Sequence, residues 1–264
     1  MEVMQVIISD VHSNLEAFEA VLADIKSRFG KDVPIISLGD LVGYGPNPIE
    51  CMLLSLKHNI KNLIGNHEMA LSQDKNNFNP AAKAAINWTK EIIQKNLSDP
   101  QIKQFLKSLS YEYRTKSSSF SGGIVYAHGS PRGAVDEYVI KKDDLFNLTD
   151  EVRKNLRENF ESVGEIGFLG HTHIPYICTT DFYLMHPEWQ SYEPYPLLSG
   201  TKTIVNVGSV GQPRDNDNRA CYATFDGTNV THYRVEYPIA RTVARMQAIP
   251  QLDRRLWTRI QKGV

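Results

Sequence analysis

Five short clusters of metal-capable side chains recur along the first two-thirds of this 264-residue chain: Asp10-Val11-His12, Gly39-Asp40, Gly65-Asn66-His67-Glu68, His128 and His171-Thr172-His173. Five of the eight histidines fall in them, while His58, His186 and His232 do not and read as structural or solvent-facing. Any one Asp-x-His or His-x-His is weak, because a helix cap, a turn or a satisfied core histidine explains it. Together they describe imidazoles and carboxylates able to hold first-row divalent cations. Residues i and i+2 of an extended chain share a face, so Asp10 with His12, and His171 with His173, are each expected to present two side chains together. Gly39, Gly65, Gly129 and Gly170 are expected to let the backbone turn beside crowded ligands.

Each cluster ends a brief apolar run, over 4–9, 33–38, 61–64, 123–127 and 165–169. Runs apolar on both faces read as buried strands of a largely parallel sheet. Leu15 to Arg28, Pro48 to His58 and Pro80 to Lys95 read as helices between them, the last capped by Asn79 with Pro80 in its first turn. This alternation predicts an α/β fold. Ligands of such sheets bind beyond the carboxyl ends of the strands, so the five clusters are expected at one sheet edge. TIVNV (203–207), CYATFD (221–226) and VTHYRVEY (230–237) read as antiparallel strands, the last two forming a hairpin at DGTN. HPEWQSYEPYP (186–196) reads as an ordered surface loop, and 239–263 as a helical tail broken at Pro250. No linker divides the chain, so 1–264 reads as a single domain.

At 41% hydrophobic and 22% charged residues, the chain is large enough to bury a core without staples. The formal net charge of −1 gives no overall attraction to nucleic acid or an acidic membrane. Cys51, Cys178 and Cys221 are scattered and odd in number, which disfavours a disulfide framework or thiolate zinc site and suits a reducing, cytoplasmic setting. No apolar run is long enough to span a bilayer, and the opening MEVMQVIIS is too short and acidic for a signal peptide.

The ordered motifs DxH, GD, GNHE, H and GHxH, with their neighbours SDVHSN, GDLVGYGPNP, AHGSP and NVGSVGQPRD, resemble the calcineurin-like metallophosphoesterase superfamily, in its small bacterial and archaeal phosphodiesterase-type branch. The resemblance covers 1–236 as the core. It implies a four-layer α/β fold, a two-sheet β-sandwich flanked by helices, with a C-terminal hairpin and a helical tail over 239–264. Carried over by residue, Asp10, His12, Asp40 and His173 would hold one divalent metal, and Asp40, Asn66, His128 and His171 a second. His67, left over as a non-ligand, would act as general acid on the leaving oxygen, against a plainer reading as a capping histidine. Glu68 would orient a neighbour or cap a helix. Mn²⁺ is the preferred ion, with Fe, Zn²⁺, Ni²⁺ or Co²⁺ as alternatives.

Two divalent ions facing two ligating carboxylates keep a positive surplus that can hold a hydroxide and a phosphate oxygen. The implied chemistry is in-line hydrolysis of a P–O bond by a metal-bridging hydroxide formed near neutral pH. In the Ser/Thr protein phosphatases and the symmetrical dinucleoside tetraphosphatases of this superfamily the second motif carries a phosphate-gripping arginine where this chain has Tyr44, and the protein phosphatases an aspartate where it has Gly43. Without that bidentate clamp the expected substrate is a phosphodiester or small nucleotide derivative. A phosphomonoesterase or nucleotide phosphatase is the alternative, ahead of a nuclease or a non-catalytic metal-binding scaffold. Arg132 and Arg214 are candidate replacements for the clamp, or else ordinary loop-pairing arginines. The insertions 69–120, with Trp88, and 131–164, with a charged helix from Lys141 to Asn159, are candidate lids or plain outer-layer helices. The tail carries six Lys or Arg against one acid, Asp253, yet Leu252, Leu256 and Ile260 recur at helical spacing. A packed amphipathic helix, against the sandwich or against a second subunit in a homo-oligomer, explains it more simply than an RNA-binding strip.

Overall fold

Strands buried on both faces need apolar cover on two sides, and the protein supplies it with four layers. A computed structural model describes residues 4–73, 78–133, 135–145, 147–186 and 192–264. The first six-stranded sheet runs β3 (Lys61–Asn62), β2 (Ile35–Ser37), β1 (Gln5–Ile8), β11 (Ala220–Phe225), β12 (Asn229–Val235), β9 (Tyr195–Pro196). The second runs β4 (Glu112–Thr115), β5 (Ile124–Ala127), β6 (Ile166–Leu169), β10 (Thr203–Asn206), β7 (Tyr176–Thr179), β8 (Leu184–Met185). Ile7, Ile36, Tyr126, Phe168, Val205 and Phe225 interlock between the sheets. Alternate residues Val6 and Ile8 turn outward onto Phe18 and Val21 of α1 (Leu15–Phe29), Met52 of α2 (Pro48–Lys57) and Phe105 of α5 (Pro100–Ser108). On the far side Val125, Cys178 and Ile204 meet Leu156 and Phe160 of α6 (Asp150–Ser162).

The expected parallel sheet is thus two mixed sheets. β3, β2 and β1 run parallel in one, and β5, β6 and β10 in the other. The five motif-bearing strands divide three and two, so their ends meet at one edge of the sandwich. Residues 203–207 do not join the C-terminal hairpin: β10 pairs parallel with β6 and antiparallel with β7, because a strand apolar on both faces belongs in a sheet centre. The β11–β12 hairpin forms as expected, with Phe225 opposite Val230. The charged helix expected from Lys141 starts later. A 3₁₀ turn spans Lys142–Asp144, then Thr149 caps α6 by accepting the Val152 N–H at 3.3 Å, with Asp150 and Glu151 favourably placed in its first turn. Of the 186–196 segment, 187–191 lie outside the described residues, and its end forms β9 beside β12.

The tail folds back on its own chain. Val243 and Met246 of α7 (Ile239–Gln247) and Leu256 and Ile260 of α8 (Arg254–Lys262) bury against Ala82 and Ala85 of α4 (Pro80–Lys95) and against Tyr44. Each such side chain contributes about 1.5–3 kcal/mol on leaving water. Trp88 packs in this cluster.

Candidate metal centre

The motif residues leave their strands by turning left-handed. φ is +55° at Asp10, +48° at His12, +52° at Asp40, +65° at His171 and +61° at His173. The extended-chain argument for paired side chains therefore does not hold: β1 ends at Ile8 and β6 at Leu169. Left-handed non-glycine residues cost on the order of 1–3 kcal/mol each and persist where surroundings over-determine them. Here hydrogen bonds do so. His12 and Ser13 donate backbone N–H groups to the carbonyls of Asp40 and Leu41, and Gly211 to that of Asp10, all at 2.9 Å.

Each of the two central carboxylates has one oxygen pinned by backbone and one turned to imidazoles. Asp10 Oδ2 accepts the His171 N–H at 3.0 Å. Its Oδ1 is buried without a hydrogen-bond partner, 3.2 Å from His173 Nε2 and 3.8 Å from His12 Nε2. Asp40 Oδ1 accepts the His67 N–H at 2.8 Å, and its Oδ2 lies 3.3 Å from His128 Nε2, 3.7 Å from His12 Nε2 and 3.9 Å from His67 Nε2. Asn66 Oδ1 is 3.0 Å from His128 Nε2, and His12 Nε2 is 3.1 Å from His173 Nε2. The His173 Nδ1–H donates to the Gln212 carbonyl at 2.6 Å, which turns Nε2 inward as a metal ligand requires. Ligand atoms of Asp10, His12 and His173 lie within 4.8 Å of one another, as do those of Asp40, His128 and His171.

The electrostatics suit cations. Burial opposes charge on Asp10, yet His173 and His128 hold its carboxyl well below the usual range. Asp40 is held down likewise by His128 and His67. Burial pushes His171 down to about 3 and His67 to about 4, so both are neutral imidazoles near pH 7. Against burial, Asp40 raises His128 to about 9. Orphaned atoms at Asp10 Oδ1 and His171 Nε2, two buried anions and a sulfur-free oxygen and imidazole donor set fit first-row divalent ions.

Glu68 does both jobs left open by the sequence. Its carboxylate accepts the Gly65 N–H at 2.9 Å, starting α3 (Asn66–Ser72), and the Asp40 and Val42 N–H groups at 2.8 and 3.0 Å. Burial and Asp40 push it up to about 7. Gly65 is required by close approach, since a Cβ there would meet the Asp40 backbone nitrogen at 2.4 Å. His67 stands between Tyr44 and Phe78, ring centres 4.3 and 5.4 Å away.

A cleft of about 300 Å³ opens over this centre, lined by Asp40, Asn66, His67, His171 and His173 together with Tyr44, Phe78, Asp136, Tyr138 and Arg214. Both insertions reach it, through Phe78 and Tyr138 respectively. Arg132 does not line it: Glu137, Glu158 and Asn155 take up its guanidinium. Tyr138, whose ring centre is 4.1 Å from that of His171, carried no sequence signal, because only the fold brings it to the motifs, whereas Gln212 lies in the NVGSVGQPRD segment.

Residues 1–229 match a family model described as the calcineurin-like phosphoesterase superfamily domain. The chain belongs to this superfamily. Over 253 residues the phosphoesterase is 36% identical to an uncharacterised protein of Methanocaldococcus jannaschii, spanning 92% of this chain and 91% of that one. It is also 36% identical to a metallophosphoesterase from Sphaerobacter thermophilus, whose crystal structure matches with a TM-score of 0.76 over the whole of both chains. A hypothetical protein from Pyrococcus horikoshii OT3 shares the fold, with a TM-score of 0.72 at 17% identity, over 100% of this chain and 99% of that one. The four-layer sandwich is the superfamily's fold, and a phosphate ester is the substrate class of this phosphoesterase. No helix among the described residues is long and apolar enough to cross a membrane.

Proposed function

We propose that this phosphoesterase uses two divalent metal ions, manganese first, to hydrolyse phosphodiesters of small molecules or nucleotides in the cytoplasm. The observation that carries this reading is the pair of buried carboxylates, each with one oxygen turned to imidazoles. Asp10, His12, Asp40 and His173 would hold one ion, and Asp40, Asn66, His128 and His171 the other. Bound there, the ions would lower the pKa of water toward about 7 and offset charge developing on the phosphoryl oxygens.

The side chains supply the rest. His67 lines the cleft, with Nε2 toward Asp40. Its Nδ1 lies against Gly43 without a hydrogen-bond partner, so the neutral ring would carry its proton on Nε2, facing the leaving oxygen, to stabilise the charge developing there or to pass it that proton as general acid. Tyr44 in place of an arginine clamp, and Asp136 in the cleft wall, favour the single charge of a diester over the dianion of a monoester. A phosphomonoesterase is the second reading, which Arg214 in the wall favours. The cleft suits a small ligand rather than a polynucleotide track. The three cysteines are free and buried, in keeping with a reducing compartment.

The test is a panel on metal-stripped protein, with bis(p-nitrophenyl) phosphate, p-nitrophenyl phosphate and cyclic and dinucleoside nucleotides, and Mn²⁺, Ni²⁺, Zn²⁺ or Mg²⁺ restored in turn. Asp40→Ala should lose both bound metal and turnover. His67→Ala should keep metal and lose turnover about 10²–10⁴-fold. Parental rates in both variants would overturn the mechanism, and a monoester-only profile the substrate class.

A further inference from the structure

Two insertions bring aromatic rings into the cleft beside different histidines of the centre. Phe78, just before α4, stands against His67 with ring centres 5.4 Å apart. Tyr138, from the stretch between β5 and α6, stands against His171, with ring centres 4.1 Å apart and 30° between the planes. Both line the cleft. Phe78 also packs with Ala82, Ala85 and the tail helices, which accounts for its place. Tyr138 remains 38% exposed, although the next residues, Val139 and Ile140, are buried with Leu156 and Phe160 of α6. A large ring left partly in water forgoes much of the stabilisation that burial gives.

The backbone beneath that ring is held in place. The Asn155 side-chain amide of α6 donates to the Tyr138 and Val139 carbonyls at 3.4 and 3.2 Å, and its Oδ1 accepts from Arg132 at 2.8 Å. With the backbone fixed, a tyrosine has only two torsions to order, so stacking on it costs little entropy. Its ring also has room. Tyr138 lines a second depression of about 510 Å³ as well as the cleft, together with Val139, Val152 and Asn155. His171 covers one face, and the other is open to a planar group. The phosphate of a substrate must sit by the ligands, so a ring that reaches Tyr138 has to be carried a short way from phosphorus. A nucleobase is so carried, one ribose away, and every base has a π-face to stack. Asp136 and Arg214 in the same wall offer an acceptor and donors for the polar edges of a base or the hydroxyls of its sugar.

We propose that Tyr138 is a platform on which a nucleobase of the substrate stacks, so that the preferred diester is a nucleotide one. The diester rests on the phosphodiesterase reading above; the platform rests on the placement of the ring. Tyr138 is then a specificity-determining residue, and the insertion 131–164 contributes it to the binding wall.

The dinucleotide ApA and its base-free analogue built on 1,4-anhydroribitol share the phosphodiester and the sugar rings and differ only by the bases. With manganese-loaded full-length protein, kcat/KM should favour ApA about fivefold or more. Tyr138→Ala should bring that ratio close to one, mainly through KM, and Tyr138→Phe, which keeps the ring, should retain it. Tyr183→Ala, at an exposed tyrosine outside the cleft lining, should leave the parental ratio. A tyrosine that merely supported His171 would change both rates together and leave the ratio alone. In parallel, calorimetry on metal-stripped protein should show AMP binding the parent about fivefold or more tightly than ribose 5-phosphate does, with that preference lost in Tyr138→Ala. If both dinucleotides are cleaved and parent and Tyr138→Ala show the same ratio, the platform is wrong while the phosphodiesterase reading stands. If the parent cleaves neither dinucleotide, that reading fails and binding decides the platform, as it does if Tyr138→Ala alone is inactive. Loss of the AMP preference in Tyr138→Ala upholds it, and no difference between parent and variant overturns it.

Discussion

The carboxylate of Glu68 holds the backbone of Asp40, accepting its N–H at 2.8 Å with both groups buried. The same carboxylate takes the N–H groups of Gly65 and Val42, so one side chain ties the second motif to the third. Glu68→Ala would strand three buried donors, at about 1–3 kcal/mol for each. Urea unfolding should show a loss of about 3 kcal/mol or more, with reduced manganese content after dialysis. Glu68→Gln, which keeps one acceptor, should fall between. An unchanged unfolding midpoint would rule out this role.

Gly43 makes room for His67. A Cβ on Gly43 would stand 2.0 Å from His67 Nδ1, and its φ of +91° is strained for other residues. Gly43→Ala should therefore displace the imidazole, lowering kcat about tenfold or more, and cost about 1–2 kcal/mol of stability. Metal content should stay at the parental level, and its loss would show that the damage reaches the ligands instead.

The two clamp candidates should separate. Arg132 is committed to Glu137 and Glu158 at the surface, so Arg132→Ala should change KM less than twofold and stability by about 0–1 kcal/mol. Arg214→Ala removes a guanidinium from the cleft wall and should raise KM about tenfold. Steady-state kinetics on one diester distinguishes them, and equal effects would overturn the assignment.

His232 should make the fold sensitive to acid. Its Nε2–H donates to the Asn206 carbonyl at 2.8 Å, and burial pushes its pKa down to about 4. The unfolded chain takes up this proton near pH 6.5 and the folded one only near 4. The stability contribution is therefore complete above pH 6.5 and is lost as pH falls through 4, to a total of about 3 kcal/mol. Urea unfolding at pH 7 and 4.5 should show a smaller difference between the two pH values for His232→Gln than for the parent. Parallel losses would assign the acid sensitivity to carboxylates.

Local chemistry was legible where neighbours in sequence decide it. Asn79 caps α4 by accepting the Ala82 N–H at 3.0 Å, as Asn-Pro before a helical pattern predicts. The β11–β12 turn follows from DGTN, and the five histidines of the motifs all reach the centre, while His58, His186 and His232 stay outside it. Less legible were the boundaries within 131–164, where a cap at Thr149 overrides a continuous charged pattern, and the partner of β10, which only the packing of two faces selects.

The sequence by itself determined which donor atoms exist, their order along the chain and the apolar runs that precede them, because these depend on residue type and short-range periodicity. The tertiary structure alone decided that the runs divide between two sheets, that left-handed turns rather than strand pleat aim Asp10, His12, Asp40, His171 and His173, and that Tyr138 stands beside His171. Those outcomes depend on contacts between segments far apart along the chain, from 28 residues between Asp40 and Glu68 to 161 between Asp10 and His171. No local pattern records such contacts, since burial and hydrogen bonding at that range are properties of the whole packed chain.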